Sequence, residues 1–241
     1  MKEIEIKFKS AKLNLEGCLV LPDTPQACPG VVLCHPHSLH GGNMDNNVIM
    51  AVSGTLADRG MAVLRFNFRG VGSSEGSYGE GIGEEADALA ALSYLAGRDE
   101  VDAKRLGLMG YSFGGMVALS AGLQSNLVKA MAGVSPVITE GLLRDCVKPT
   151  LIIYGTNDDV VLPSTIIKEV NNMPPGSVEP FEGVDHFWWG HEKRAAERVA
   201  AFFAWCLSPN LFTYYHYCGF LGQIDAHFPL QKRIFLDNIW V

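Results

Sequence analysis

No run of about 18 apolar residues occurs in the 241 residues of this sequence, so no membrane-spanning helix is expected. The opening decapeptide MKEIEIKFKS alternates charged and apolar side chains. It lacks the continuous apolar stretch of a secretory signal. Cysteine is sparse. Cys18, Cys28, Cys34, Cys146, Cys206 and Cys218 are scattered, with no C-x-x-C pair. They read as buried free thiols in a reducing compartment, which places the expected protein in the cytoplasm. Positive charge is also scarce. Lys and Arg number 19 against 26 Asp and Glu, a formal net charge of −7, and no basic cluster breaks that average. Nucleic acid is therefore excluded as a main partner, because neutralising phosphates needs a basic face. Phosphate-binding loops are incomplete. Gly70-Val71-Gly72 runs into Ser73-Ser74-Glu75, so the third glycine of G-x-G-x-x-G is missing, and no G-K-[ST] occurs.

What is present is a chain 48% hydrophobic and 19% charged, enough to bury a sizeable core. Residues 3–9 and 12–21 alternate apolar and polar positions and suit an antiparallel strand pair with one wet face. The run PGVVLCHP reads as a buried strand, followed by the loop HSLHGGNMDNN and a helix across 47–59 that ends at Arg59-Gly60. MAVLRFNF (61–68) is a strand, 69–83 a glycine-rich loop, and about 84–97 a helix. Strands at 105–111, 128–135, 149–155 and near 177–181 then alternate with helices at 113–123, 163–172 and 191–207. This alternation predicts an α/β protein with a mostly parallel sheet, helices on both faces and an antiparallel N-terminal edge. Ligands of such sheets sit beyond the carboxyl ends of the strands. The loops after 34, 68, 111, 155 and 182 should therefore share one rim.

Two segments match G-x-S-x-G. A nucleophile elbow needs a strand before the serine and a helix after it, with small residues flanking the turn. Ser112, in Gly110-Tyr111-Ser112-Phe113-Gly114, has RLGLMGY before it and FGGMVALSAGL after it. Ser74, in Gly72-Ser73-Ser74-Glu75-Gly76, lies inside a loop and is rejected. A serine hydroxyl needs a base, and the base needs an orienting carboxylate. In this topology they follow in the order serine, acid, histidine. The acid belongs to Tyr154-Gly155-Thr156-Asn157-Asp158-Asp159, directly after a strand. Spacing from Gly155 favours Asp158, with Asp159 the alternative. The base is His186 in Gly183-Val184-Asp185-His186-Phe187. His191 sits at a helix start, where a cap or surface role suits it better, and Asp185 reads as a loop carboxylate.

A tetrahedral intermediate also needs two N–H donors. The backbone of Phe113, after the nucleophile, supplies one. The other belongs to the loop Cys34-His35-Pro36-His37-Ser38, where position favours His37, then Ser38. The same loop spells His35-x-His37-x-x-His40, which resembles the H-x-H-x-D-H element of metallo-β-lactamase-type hydrolases. Leu39 stands where that element has aspartate, and no downstream ligand set follows. No metal is expected, and these histidines should bond loop backbone and line the pocket mouth.

Taken together, HPHSLHGGNMDNNV, VLRFNFRGVGSSEGSYGEGIGE, GYSFGG, YGTNDDVV and GVDHFWWG resemble the α/β-hydrolase superfamily. More closely they resemble its small bacterial serine esterases related to the dienelactone hydrolases. The resemblance covers about residues 1–207. It implies an eight-stranded α/β-hydrolase sheet, esterase chemistry and no cofactor, with Ser112, Asp158 and His186 as nucleophile, acid and base. Dienelactone hydrolases use a cysteine nucleophile. Serine at this place favours an ordinary carboxylester, and Pro163 falls one residue later than the usual acid-loop pattern. Members often carry a lid between the strands corresponding to 128–135 and 149–155. The short connection here, SPVITEGLLRDCVK, predicts no large lid domain, an open site and a small, short-acyl ester substrate. Ser38, Trp188 and Trp189, with Phe113 and Phe187, are expected around that pocket. Residues 208–241 fall outside the resemblance and are rich in aromatics. They are expected either to mediate homo-oligomer formation, to pack on the body or to cover the site, since aromatic surface seeks a partner.

Overall fold

Alternation of apolar residues with polar or charged ones sets the first two strands, β1 (Lys2–Ser10) and β2 (Leu13–Leu21), which pair antiparallel. The computed structural model describes residues 1–171, 173 and 177–208. The expectations for 209–241 lie outside the described residues. Then come β3 (Cys28–Cys34), α1 (Asn47–Asp58), β4 (Ala62–Phe66), α2 (Ile82–Ala96), β5 (Val101–Tyr111) and α3 (Phe113–Gln124). β6 (Val128–Val134), β7 (Thr150–Gly155), α4 (Pro163–Val170), β8 (Val178–Phe181) and α5 (Glu192–Cys206) complete the series.

Among the described residues one eight-stranded sheet results, ordered β1-β2-β4-β3-β5-β6-β7-β8. β2 meets β4 antiparallel, and every pair from β4 to β8 is parallel. This is the α/β-hydrolase sheet that the sequence resemblance implies. The central strands are buried on both faces, so they read as continuous apolar runs. Val32, Leu64 and Leu108 face a cluster with Leu92 of α2, Val117 of α3 and Ile166 of α4. Val31, Val63 and Met109 face the opposite cluster, with Val52 of α1 and Val199 and Phe203 of α5. α5 lies so close to the sheet that a Cβ on Gly107 would sit 2.4 Å from the Phe203 ring.

Local signals explain the helix ends near the rim. Asn46 caps α1 by accepting the Val48 N–H at 3.0 Å, and Gly60 at φ 78° turns the chain back toward β4. Residues 135–149, between β6 and β7, form turns and bends without a helix, so this connection contributes no lid. At the sheet edges, β1 turns a row of Lys and Glu side chains outward, while β8 is four residues long and contains Pro180. Of the described cysteines, Cys18, Cys28, Cys34 and Cys206 are buried thiols, as expected. Cys146 is half-buried instead, because it lies in the turn-rich β6–β7 connection. Among the described residues no helix is long and apolar enough to cross a membrane.

Candidate active site

β5 runs straight into Ser112, and α3 begins at the next residue. The turn between them is tight enough to force Ser112 to φ 56°, ψ −120°, a region that side chains other than glycine avoid. Two glycines make the turn possible. A Cβ on Gly110 would lie 1.9 Å from the Gly114 carbonyl oxygen, and one on Gly114 would lie 2.3 Å from the oxygens of both Cys34 and His35. The same closeness brings the loop after β3 against the start of α3. Ser112 is pinned by its N–H to the Val134 carbonyl at 2.9 Å and by the Gly115 N–H to its own carbonyl at 2.9 Å.

The loops after β7 and β8 are stitched together. The Asn157 N–H donates to the Val184 carbonyl at 2.9 Å, and the Gly183 N–H donates to Thr156 Oγ1 at 2.9 Å. This stitching sets Asp158 beside His186. Asp158 Oδ2 lies 2.8 Å from His186 Nδ1, and His186 Nε2 lies 3.0 Å from Ser112 Oγ. The second carboxylate oxygen, Oδ1, accepts the N–H groups of Val160 and Val161 at 3.0 and 2.8 Å. Burial alone would raise the Asp158 pKa. The hydrogen bonds from His186 and Val161 outweigh it and hold the carboxyl below its ordinary value. An ionised carboxylate can only accept, so the imidazole proton sits on Nδ1. The Nε2 lone pair then faces the serine hydroxyl. Asp159, the alternative acid, points to solvent, as an adjacent residue on a turn does.

Phe113 and His37 also converge. Their rings are 4.7 Å apart between centroids. Among the described residues, neither backbone N–H is taken by a protein acceptor. His37 caps a short 3₁₀ turn at Ser38–His40, where its Nδ1 accepts the Leu39 N–H at 3.2 Å. His35 is fully buried. Its Nδ1–H donates to the Pro36 carbonyl at 2.7 Å, and its Nε2 accepts the Phe68 N–H at 3.1 Å. Both ring nitrogens are thus used by backbone, and burial pushes its pKa down to about 4. Ser74 is likewise committed to its loop. Its Oγ donates to the Asn67 carbonyl at 2.7 Å and accepts the Glu16 N–H at 3.0 Å.

A cleft of about 530 Å³ opens above Ser112. His37, His40, Asn46, Tyr111, Val160 and Phe187 contribute to its lining, all without formal charge when the imidazoles are neutral. Four expectations about this lining are corrected. Phe113 is buried with its ring against His37, Phe68 and Tyr78 and does not line the cleft. Trp188 is fully buried beneath the site, edge-on to Phe181 at 5.1 Å, with its indole N–H on Ser135 Oγ at 3.1 Å. The Asp185 carboxylate causes this by accepting the N–H groups of Phe187 and Trp188, both at 3.0 Å. That turn sends Phe187 toward the cleft and Trp188 into the core. Trp189 faces solvent outside the cleft lining, and Ser38 turns its Oγ into the loop, where it is buried away from the cleft. His191 stands at the N-terminus of α5, away from the serine.

Some site residues escape a reading of the sequence. Tyr111 donates its hydroxyl to the His186 carbonyl at 2.7 Å and stacks its ring 5.5 Å from the imidazole. Its place directly before the serine was the available signal. Asn46 and Val160 had none beyond lying in the right loops.

A family model described as X-Pro dipeptidyl-peptidase (S15 family) matches residues 13–144. An uncharacterized protein of Rickettsia prowazekii (strain Madrid E) is 31% identical over 196 residues, covering 76% of this chain and 82% of that one. The structure of an α/β serine hydrolase homologue from Coxiella burnetii superposes with a TM-score of 0.74 at 29% identity, over 83% of this chain and 97% of that one. A lidless α/β serine hydrolase from Xanthomonas campestris superposes with a TM-score of 0.71 at 25% identity, over 85% and 93% of the two chains.

Proposed function

Because this chain belongs to the X-Pro dipeptidyl-peptidase (S15) family within the α/β-hydrolase superfamily, we propose that it is a serine hydrolase cleaving small, short-acyl carboxylic esters. The observation that carries this reading is the hydrogen-bonded line from Ser112 through His186 to Asp158, opening on a cleft lined by no Asp, Glu, Lys or Arg among the described residues.

In this reading His186 Nε2 takes the Ser112 proton as Oγ bonds to the ester carbonyl carbon. The carbonyl electron pair moves onto oxygen, which the N–H groups of Phe113 and His37 hold. Asp158 stabilises the imidazolium and keeps its orientation. The imidazolium then protonates the departing alkoxide, the ester C–O bond breaks, and an acyl-serine forms. Water, deprotonated by His186, attacks that acyl group. Collapse of the second intermediate releases the acid and returns the proton to Ser112.

The family match favours a second reading, a peptidase. Release of a dipeptide from a free N-terminus calls for an anion to hold the ammonium group. The described cleft lining contains no Asp or Glu, which supports the ester reading. The test is turnover of p-nitrophenyl acetate, butyrate and decanoate, and of an Xaa-Pro p-nitroanilide, by the native chain and by Ser112→Ala. Fast cleavage of the two short esters by the native chain alone is the expected result. Equal rates in both proteins would end the serine mechanism. Preference for the anilide would establish the peptidase.

A further inference from the structure

The two N–H donors assigned to the oxyanion come from separate segments, the loop after β3 and the first residue of α3, and one side chain touches both residues. Tyr78 lies in the glycine-rich segment before α2. Its ring is 5.0 Å from the His37 ring and 5.8 Å from the Phe113 ring. Its hydroxyl is 3.2 Å from His37 Nε2. The direction of that bond follows from the other nitrogen. Nδ1 accepts the Leu39 N–H, so in the neutral ring the proton is on Nε2, which donates to Tyr78 Oη. Partial burial and the neighbouring His40 lower the His37 pKa and favour this neutral form. Both imidazole nitrogens are therefore fixed, and rotation of the His37 ring would break two hydrogen bonds at once.

Tyr78 is itself held. The fully buried Glu84 of α2 accepts the N–H groups of Gly79 and Gly81, both at 2.8 Å. The segment carrying Tyr78 is thus clamped to the helix that follows it. The arrangement runs from a buried carboxylate, through a clamped loop, to an aromatic ring wedged against both donor residues.

We propose that Tyr78 is a positioning residue that sets the spacing of the two oxyanion donors, acting through the His37 and Phe113 rings. The proposal rests on the serine-hydrolase reading above. A donor misplaced by a fraction of an ångström still binds a neutral ester but stabilises the anionic intermediate less, so the loss falls on kcat and not on KM. Removing one donor outright costs on the order of 10²–10³ in rate. Tyr78→Phe keeps the ring and loses the hydroxyl, and should lower kcat about tenfold. Tyr78→Ala removes the wedge and should lower it about a hundredfold.

The experiment measures kcat and KM for p-nitrophenyl butyrate, thermal stability, and inhibition by butylboronic acid, which forms a tetrahedral adduct on serine. In Tyr78→Phe, kcat should fall with KM and Tm near their native values, and the boronate Ki should rise by the same factor as kcat/KM falls. Tyr78→Phe decides the matter alone if the alanine variant does not fold. A kcat within twofold of native, or a loss confined to KM with the boronate Ki unchanged, overturns the positioning role. Ser112→Ala, run in parallel, separates this from a failure of the enzyme reading. If it retains native turnover, the serine mechanism falls, and the role of Tyr78 falls with it.

Discussion

Trp188 donates its indole N–H to Ser135 Oγ at 3.1 Å, with both residues fully buried. The bond ties the turn that carries His186 to the strand end beside β7. Trp188→Ala should therefore cost about 3–5 kcal/mol in urea unfolding, the usual result of emptying a large aromatic site. Trp189→Ala, at the exposed neighbour, should stay within about 0.5 kcal/mol of native.

The two adjacent carboxylates after β7 should behave very differently. Asp158→Asn removes the acceptor that holds the His186 tautomer and should lower kcat by about 10⁴. Asp159→Asn changes a solvent-facing group and should leave kcat unchanged. Steady-state kinetics on p-nitrophenyl butyrate reads both, and matched losses would contradict the assignment of Asp158.

Ser112 is held at φ 56°, which predicts a separation of activity from stability. Ser112→Ala and Ser112→Gly should both lose turnover. Glycine tolerates that backbone geometry and alanine does not, so Ser112→Gly should be the more stable of the two by about 1 kcal/mol. Equal unfolding midpoints would show that the turn stores no strain.

His35 predicts a pH dependence of stability. Its pKa is about 4 in the folded protein against an ordinary value of 6.5. Between those limits the unfolded chain takes a proton that the folded chain refuses, so stability falls as pH drops from 6.5 to about 4 and levels off below. The loss over that window is at most about 3 kcal/mol. Urea unfolding across pH should show this slope. His35→Gln should flatten it while lowering stability at neutral pH, because the bonds to Pro36 and Phe68 are disturbed.

The sheet and the order of its elements were legible because the buried parallel strands are short apolar runs with clear helical spacing between them. Ser112, Asp158 and His186 were nameable because strand ends fix where their loops emerge. The lining of the cleft was not. Phe187, Trp188 and Trp189 look equivalent in sequence, and a hydrogen-bonded turn at Asp185 decides which one meets the cleft. Tyr78 was hidden for a related reason. Its loop is anchored by Glu84 bonding to backbone N–H groups, and the glycines there mark a turn without saying where its one aromatic ring will point.

Among the described residues β1 and β8 are the outermost strands of the sheet, and this has a consequence for the molecule at high concentration. An unpaired strand can template addition of a neighbour's strand, and charge, brevity and proline each oppose that growth. β1 meets any incoming chain with the carboxylates of Glu3 and Glu5 and the ammonium groups of Lys7 and Lys9, and β8 ends after four residues that include an imino acid unable to donate a ladder bond. The two flanks of the sheet are thus blunted by different means, which should keep crowded copies from fusing into a continuous ribbon.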